Sequence, residues 1–291
     1  MTAFTITGFA DEISPKLAEQ IQVLKENNIH NIEIRGINGK NVSEFTLDEA
    51  KAYKAELTRH EINVSSIASP IGKIKITDDF EQQKQLFEHV LQLAEIFQSP
   101  FVRVFSFYLE SDAVADRYQD EVFRRWQAFM TIAANYPRIT LLHENEKEIF
   151  GDTPERCALL LQRINSPQLR AAFDPANFVQ CGVQVYPHAY ELLRPYIAYV
   201  HIKDAYFKNG EVTPAGLGDG QVAQVLEQLA KDNYQGYLSL EPHLSTFEGY
   251  ERLESKAVSI NHKKSNGART FTIASNALKE LLVEQLGQKW E

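Results

Sequence analysis

Ile139-Thr140-Leu141-Leu142-His143-Glu144, Leu169-Arg170-Ala171-Ala172-Phe173-Asp174, Tyr199-Val200-His201 and Tyr237-Leu238-Ser239-Leu240-Glu241 decide the fold. Each stretch is short and strand-like, and each ends in a side chain able to bind a metal ion. Successive end residues, Glu144, Asp174, His201 and Glu241, lie 30, 27 and 40 residues apart. A gap of that size holds one crossover helix between parallel strands. The chain therefore offers two Glu, an Asp and a His from neighbouring strand ends, where open α/β sheets and barrels keep their chemistry.

Working outward, the same alternation of an apolar strand with an amphipathic helix recurs through the first half. A strand over 5–9 leads to a helix with Ser14 as cap and Pro15 in its first turn, Leu17, Ile21 and Leu24 at helical spacing, and Asn27-Asn28 at its end. Further strands are expected over 31–35, 62–67 and 101–105, with helices over 47–57, through Leu86, Val90, Leu93 and Phe97, and over 114–134. Helices near 154–164, 187–196 and 221–231 separate the four ligand-bearing strands. Eight such units close most simply as an α/β (β/α)8 TIM barrel, expected to be a single domain over 1–291. One segment breaks the pattern. Lys256, His262, Lys263, Lys264 and Arg269 stand among Ser, Asn and Gly over 251–269, before a final helix over 273–286. It reads as a mobile inserted loop, or as a basic lid over an anionic substrate or a neighbouring subunit.

With 291 residues and 44% hydrophobic content the chain can bury one large core. The net charge of −9 argues against a nucleic-acid partner and favours a small molecule. Cys157 and Cys181 form no CxxC and suggest neither a disulfide scaffold nor a thiolate zinc site. The N-terminus lacks the charged and apolar regions of a signal peptide, and no stretch approaches the roughly 20 apolar residues that span a bilayer. A cytoplasmic enzyme without membrane contact is expected; a homo-oligomer is compatible with the sequence.

Three carboxylates and an imidazole form a hard, mostly oxygen ligand set, suited to Mn²⁺ first, with Mg²⁺ or Co²⁺ close behind. A divalent ion there polarises a carbonyl or binds adjacent sugar oxygens, easing removal of the proton between them. Glu144 and Glu241, on the first and last ligand strands, can face a substrate from opposite sides, each giving one oxygen to metal and one to a proton. That favours epimerisation or aldose–ketose isomerisation through an enediolate. Singly, each residue has a plainer reading: a strand-end carboxylate caps a helix or pairs with a cation, and His201 is a satisfied core histidine. Lys203 shares a strand face with His201 and either touches substrate or neutralises Asp204. Glu33, Arg35 and Arg103 are candidates for substrate contact or for internal ion pairs. His243 orients Glu241, meets substrate or lies at the surface. Gly216, Gly218 and Gly220 either present N–H groups to a sugar phosphate or make a tight turn.

Taken in order, Leu141-Leu142-His143-Glu144-Asn145, Phe173-Asp174-Pro175-Ala176-Asn177, His201-Ile202-Lys203-Asp204, Gly216-Leu217-Gly218-Asp219-Gly220 and Leu240-Glu241-Pro242-His243 make the chain, over roughly 4–245, resemble the xylose isomerase-like TIM-barrel superfamily. Its members include sugar phosphate isomerases and epimerases, tagatose-type ketose epimerases, inosose dehydratases and hydroxypyruvate isomerases. The resemblance implies that Glu144, Asp174, His201 and Glu241 bind a divalent metal, Mn²⁺ first and Mg²⁺, Co²⁺ or Zn²⁺ as alternatives, and that Glu144 and Glu241 are the acid/base pair. Its substrate would be a sugar or sugar phosphate. Two positions depart from many relatives. Asn177 stands where an Asp-x-x-His motif has His, and Glu146 where a Glu-Asn-His motif has His. Asn177 can hydrogen-bond a hydroxyl or a bound water but cannot shuttle a proton. A metal-dependent dehydratase of the inosose or dehydroshikimate type is thus the alternative, ahead of an AP-endonuclease-like DNA repair enzyme or a sugar-binding protein without catalysis.

Overall fold

A computed structural model describes residues 3–110, 115–244 and 266–290. Eight parallel strands form its centre: β1 (Ala3–Gly8), β2 (Asn31–Ile34), β3 (Asn63–Ile67), β4 (Phe101–Val104), β5 (Thr140–Glu144), β6 (Leu169–Phe173), β7 (Ile197–Ile202) and β8 (Tyr237–Leu240). From β2 each pairs with the next in sequence, and β8 returns to pair with β1, Ile6 opposite Leu238. A parallel bridge between Phe9 and Glu33 joins β1 to β2 and closes the ring. The expected TIM barrel is what the chain forms.

Outside it lie α1 (Leu17–Glu26), α2 (Leu47–Arg59), α3 (Phe80–Phe97), α4 (Ala115–Ala133), α5 (Pro154–Ile164), α6 (Pro175–Gln180), α7 (Tyr190–Leu193), α8 (Val222–Lys231) and α9 (Gly267–Lys279). Local chemistry starts several of them. Thr46 and Glu49 form a reciprocal capping box on α2, Asp79 caps α3, and Thr153 with Pro154 opens α5. Amphipathic faces do the rest. Along α8, Val222, Val225, Leu226 and Leu229 are buried together, and they join the large core between helices and sheet. No described helix is long and apolar enough to cross a membrane.

Strand periodicity determines what fills the barrel. Alternate residues face inward, so Phe101, Leu142, Ala172, Tyr199 and Tyr237 pack as an apolar floor. Tyr199 makes edge contact with Phe101 at 5.7 Å and lies 5.6 Å from Tyr237. Two residues further along, the same faces present Arg103, Glu144, Asp174, His201 and Ser239, all buried. The polar site thus stands on the apolar floor.

Several expectations need correction. α1 begins at Leu17 with Lys16 at its cap position, not at Ser14-Pro15, because a 3₁₀ turn over Ala10–Glu12 first carries the chain across the barrel mouth. The helix expected over 187–196 shortens to α7, preceded by a turn over Val185–Ala189 in which Tyr186 has extended backbone. The last helix starts at Gly267, capped by Asn266, earlier than the expected 273. Arg269 therefore belongs to a helix; the rest of the proposed basic insertion, 251–265, lies outside the described residues.

Candidate active site

Asp174 follows β6 and caps α6: its Oδ1 accepts the Asn177 N–H at 2.9 Å, and Pro175 occupies the first helical position. This leaves Oδ2 for the barrel mouth, where it has no well-formed hydrogen bond and lies 3.0 Å from the Lys203 ammonium. Asn145 locks the adjacent strand ends together, its Oδ1 accepting the Asp174 N–H and its Nδ2 donating to the Asp174 carbonyl, both at 2.9 Å. Asn177 Nδ2 donates to the Asn145 carbonyl at 2.9 Å and to Glu144 Oε1 at 3.3 Å. The residue that replaces a relative's histidine is thus a buried donor to Glu144.

Glu144, Asp174, His201 and Glu241, all buried, each bring one ligand atom to within 4.8 Å of the others. His201 Nδ1 faces this set, 2.8 Å from Glu144 Oε1, 3.6 Å from Glu241 Oε2 and 3.8 Å from Asp174 Oδ2. The donor set fits a hard divalent ion, and Asp174 Oδ2, buried without a well-formed hydrogen bond, is an acceptor of the kind such an ion would complete. A second group, Glu12, Glu241 and His243, has equally close donors, but Arg35 pairs with Glu12 and Glu241 within it.

Each glutamate has one oxygen against an arginine. Glu144 Oε2 lies 3.0 Å from Arg103, and Glu241 Oε1 lies 3.2 Å from Arg35. Both guanidiniums lie against Phe9, Arg35 4.7 Å and Arg103 5.3 Å from its ring centre, and its ring also meets His201 edge-on at 5.1 Å. Asp11 grips Arg35 through both oxygens, at 2.7 and 3.1 Å, and Glu12 accepts from it at 3.1 Å. Lys203 stands between the acids, 2.8 Å from Glu241 Oε2. It serves Asp174 and Glu241 rather than Asp204.

These environments separate the carboxyls. Burial pushes all of them up, yet His201 and Arg103 together hold Glu144 down to about 2. For Glu241 burial is likewise outweighed, chiefly by Lys203 and His243, and its carboxyl lies well below the ordinary range. Asp174 goes the other way: burial and repulsion from Glu241 and Glu144 overcome Lys203 and raise it to about 6. Two ionised glutamates and one poised aspartate share the mouth.

The remaining candidates divide by position. Arg35, Arg103, Asn177, Lys203 and His243 line a narrow cleft together with Glu144 and Glu241. Glu33 does not; it lies below His201 within the barrel, its Oε2 3.5 Å from Nε2. His243 Nε2 lies 3.3 Å from Glu241 Oε1, and the His243 backbone N–H donates to Glu12 Oε2 at 2.7 Å. The glycine turn is not a free anion site. Gly216, Gly218 and Gly220 aim their N–H groups at the Asp204 carboxylate at 3.0, 3.0 and 2.7 Å, so the sugar-phosphate reading of this turn is set aside. Phe9, Asp11, Glu12 and Asn145 went unassigned in the sequence; an acidic pair directly after the first strand was the available signal.

A family described as xylose isomerase-like TIM barrel matches residues 21–259. No curated protein matches the chain. Among solved structures, D-allulose 3-epimerase from Methylomonas sp., in complex with D-allulose, superposes with a TM-score of 0.72 at 13% identity, over 96% of each chain. A probable 3-DHS dehydratase from Bacillus anthracis gives 0.71 at 16% identity, over 95% of this chain and 98% of its own. The IOLI protein with a bound zinc atom gives 0.70 at 12% identity, over 97% and 99%. At these identities the likeness is one of fold.

Proposed function

The chain belongs to the xylose isomerase-like TIM barrel family, and from that premise we propose that it is a divalent-metal-dependent sugar epimerase or isomerase. The observation that carries the reading is the pair of glutamates, Glu144 and Glu241, each with one oxygen in the metal-competent cluster and one against an arginine. Glu144, Asp174, His201 and Glu241 would hold the ion, which lowers the cost of the negative charge that develops when a carbon beside a carbonyl loses its proton.

The chain's own groups supply the proton traffic. His201 and Arg103 at Glu144, and Lys203 and His243 at Glu241, favour the ionised form against burial, so either glutamate is available as a base near neutral pH. One glutamate, ionised, takes a proton from one face of the substrate carbon; the other, protonated from solvent beforehand, delivers its own proton to the opposite face, which inverts that carbon and leaves the pair to reset by exchange with water. Lys203, held by Asp174 and Glu241, offers an N–H to a substrate oxygen in the same space. Asn177 donates to Glu144 and positions it without moving a proton itself. The neighbours that bind D-allulose and zinc are consistent with a sugar and a divalent ion.

Lys203 also supports a second reading. An ammonium 2.8 Å from Glu241 can protonate a departing hydroxyl after the same carbon–hydrogen cleavage, which is dehydration of a keto-polyol. NMR of candidate keto sugars in D₂O with Mn²⁺-loaded protein separates the two. Epimerisation exchanges a substrate hydrogen with solvent and conserves mass; dehydration forms a conjugated ultraviolet chromophore. Glu144→Gln and Glu241→Gln should each lower turnover by about 10²–10⁴-fold with the fold retained. Parent-like rates in both variants would rule out the acid/base assignment.

A further inference from the structure

One carboxylate near the ligand set plays no part in the proposed proton transfer. Glu33 is wholly enclosed and sits on the opposite side of His201 from Glu144, Asp174 and Glu241. Its Oε2 lies 3.5 Å from His201 Nε2, the outer limit of hydrogen-bond contact, and accepts the Ser239 hydroxyl at 2.6 Å. Its Oε1 has no hydrogen-bond partner among the described residues, and neither does His201 Nε2. Tyr199 also stands against Glu33, beside Ser239, while sharing the hydroxyl network of this layer. Tyr199 pairs with Ser65 at 2.9 Å, Thr7 pairs with Ser65 at 2.8 Å, and Ser65 donates to the Ile32 carbonyl at 3.1 Å.

The fold holds this contact in place. Glu33 lies at the bridge with Phe9 that closes the barrel, Phe9 packs on the His201 ring, and Ser239 is the register partner of His201. Four strands thus meet around one imidazole. A carboxylate this deep is costly unless a partner supplies a proton or a positive charge. In a neutral imidazole, only one nitrogen carries hydrogen, so a donor at Nε2 leaves a lone pair at Nδ1.

We propose that Glu33 is a positioning residue: it accepts the His201 Nε2–H and thereby turns the Nδ1 lone pair toward Glu144, Asp174 and Glu241. The role differs from substrate contact, since Glu33 lies beneath the cleft. It rests on the reading of the four residues as a divalent-metal site.

The test is metal binding itself. Metal-stripped parent, Glu33→Gln and Glu33→Ala are titrated with Mn²⁺, the free ion being followed by electron paramagnetic resonance, with circular dichroism as a check on folding. Parent should bind one ion. Glu33→Ala should bind it roughly 10–100-fold more weakly, in the range for loss of a carboxylate behind a ligating histidine. Glu33→Gln should fall between, because its amide oxygen still accepts the N–H. In parallel, ¹⁵N-histidine NMR of the Mg²⁺-loaded parent should show His201 protonated at Nε2. A folded Glu33→Ala that binds Mn²⁺ within about twofold of parent overturns the inference while leaving the metal site standing. Protonation at Nδ1 overturns it even if Glu33→Ala does not fold. A parent that takes up no divalent ion removes the metal reading and this inference together.

Discussion

Asp204 and Lys203 are adjacent in sequence and have opposite fates. Lys203 points into the barrel mouth, whereas Asp204 is buried against the turn that follows, its two oxygens accepting N–H groups from Ala205, Gly216, Gly218 and Gly220. The glycines are needed for space: a Cβ on Gly218 would come within 2.5 Å of both Asp204 Oδ1 and the Ala205 carbonyl. Asp204→Asn puts an NH₂ where one carboxylate oxygen accepts two of these donors. We expect it to destabilise the protein by about 2–4 kcal/mol, the cost of leaving buried donors unsatisfied. Urea unfolding monitored by tryptophan fluorescence measures this, and an unchanged midpoint would mean that the carboxylate does not organise the turn. The sequence showed the His-x-Lys-Asp run and the glycine run without showing that they meet. Their union depends on a tertiary contact, so a turn and an anion site looked alike from the residues alone.

At the level of elements, α4 is tied down by a charged pair. Glu121 accepts from Arg124 through both oxygens and from Arg125 Nε, all at 2.7 Å, and Arg125 reaches on to the Asp78 carbonyl at 2.9 Å, just before α3. The hydrogen bond from Arg124 above all, with Arg125 adding to it against some burial, holds the Glu121 carboxyl down to about 2. A folded-state value below the ordinary 4.5 means that the contribution is complete above that pH and is lost as pH falls toward 2. Since Glu121 is 32% exposed, solvent screening reduces the contribution to about 1 kcal/mol. Parent should thus exceed Glu121→Gln in stability by that amount at pH 6, and the gap should close by about pH 2.5. Denaturant curves at both pH values decide it; a gap that does not change with pH would contradict the argument. Elements themselves were legible to the extent that local pattern fixes them. All eight barrel strands, and the helix through Leu86, Val90, Leu93 and Phe97, follow from alternation and helical spacing. α6 is not among the expected helices: Asp174-Pro175 is a helix-start signal and capping is one reading of a strand-end carboxylate, but a helix as short as Pro175–Gln180 carries too little periodic pattern to be read. Ser14 misled in the opposite direction: its cap chemistry is real, but the turn that delivers Asp11 and Glu12 to Arg35 comes first.

For the whole molecule, closing the barrel brings together residues that the sequence keeps far apart. Arg35 and Glu241 are separated by 206 positions and meet at 3.2 Å. Period-two alternation and strand spacing made the four ligands readable, but the contacts of the arginines with the glutamates, and of both arginines with Phe9, emerge only on closure. Closure also concentrates Glu144, Asp174 and Glu241 at one mouth, and their mutual repulsion opposes folding; burial first, with that repulsion added, raises the Asp174 carboxyl to about 6. An ion bound there stabilises only the folded chain, because unfolding disperses its ligands. At a hundred times the dissociation constant the gain is about 2.7 kcal/mol. With an unfolding entropy of about 2.1 cal/mol/K per residue, a chain of this length should melt about 4–5 °C higher. Scanning calorimetry of metal-stripped protein with and without Mn²⁺ should show that rise, EDTA should reverse it, and Asp174→Asn should abolish it. A melting temperature indifferent to Mn²⁺, Mg²⁺, Co²⁺ and Zn²⁺ would mean that the barrel mouth is an ion-pair network that Lys203, Arg35 and Arg103 already satisfy.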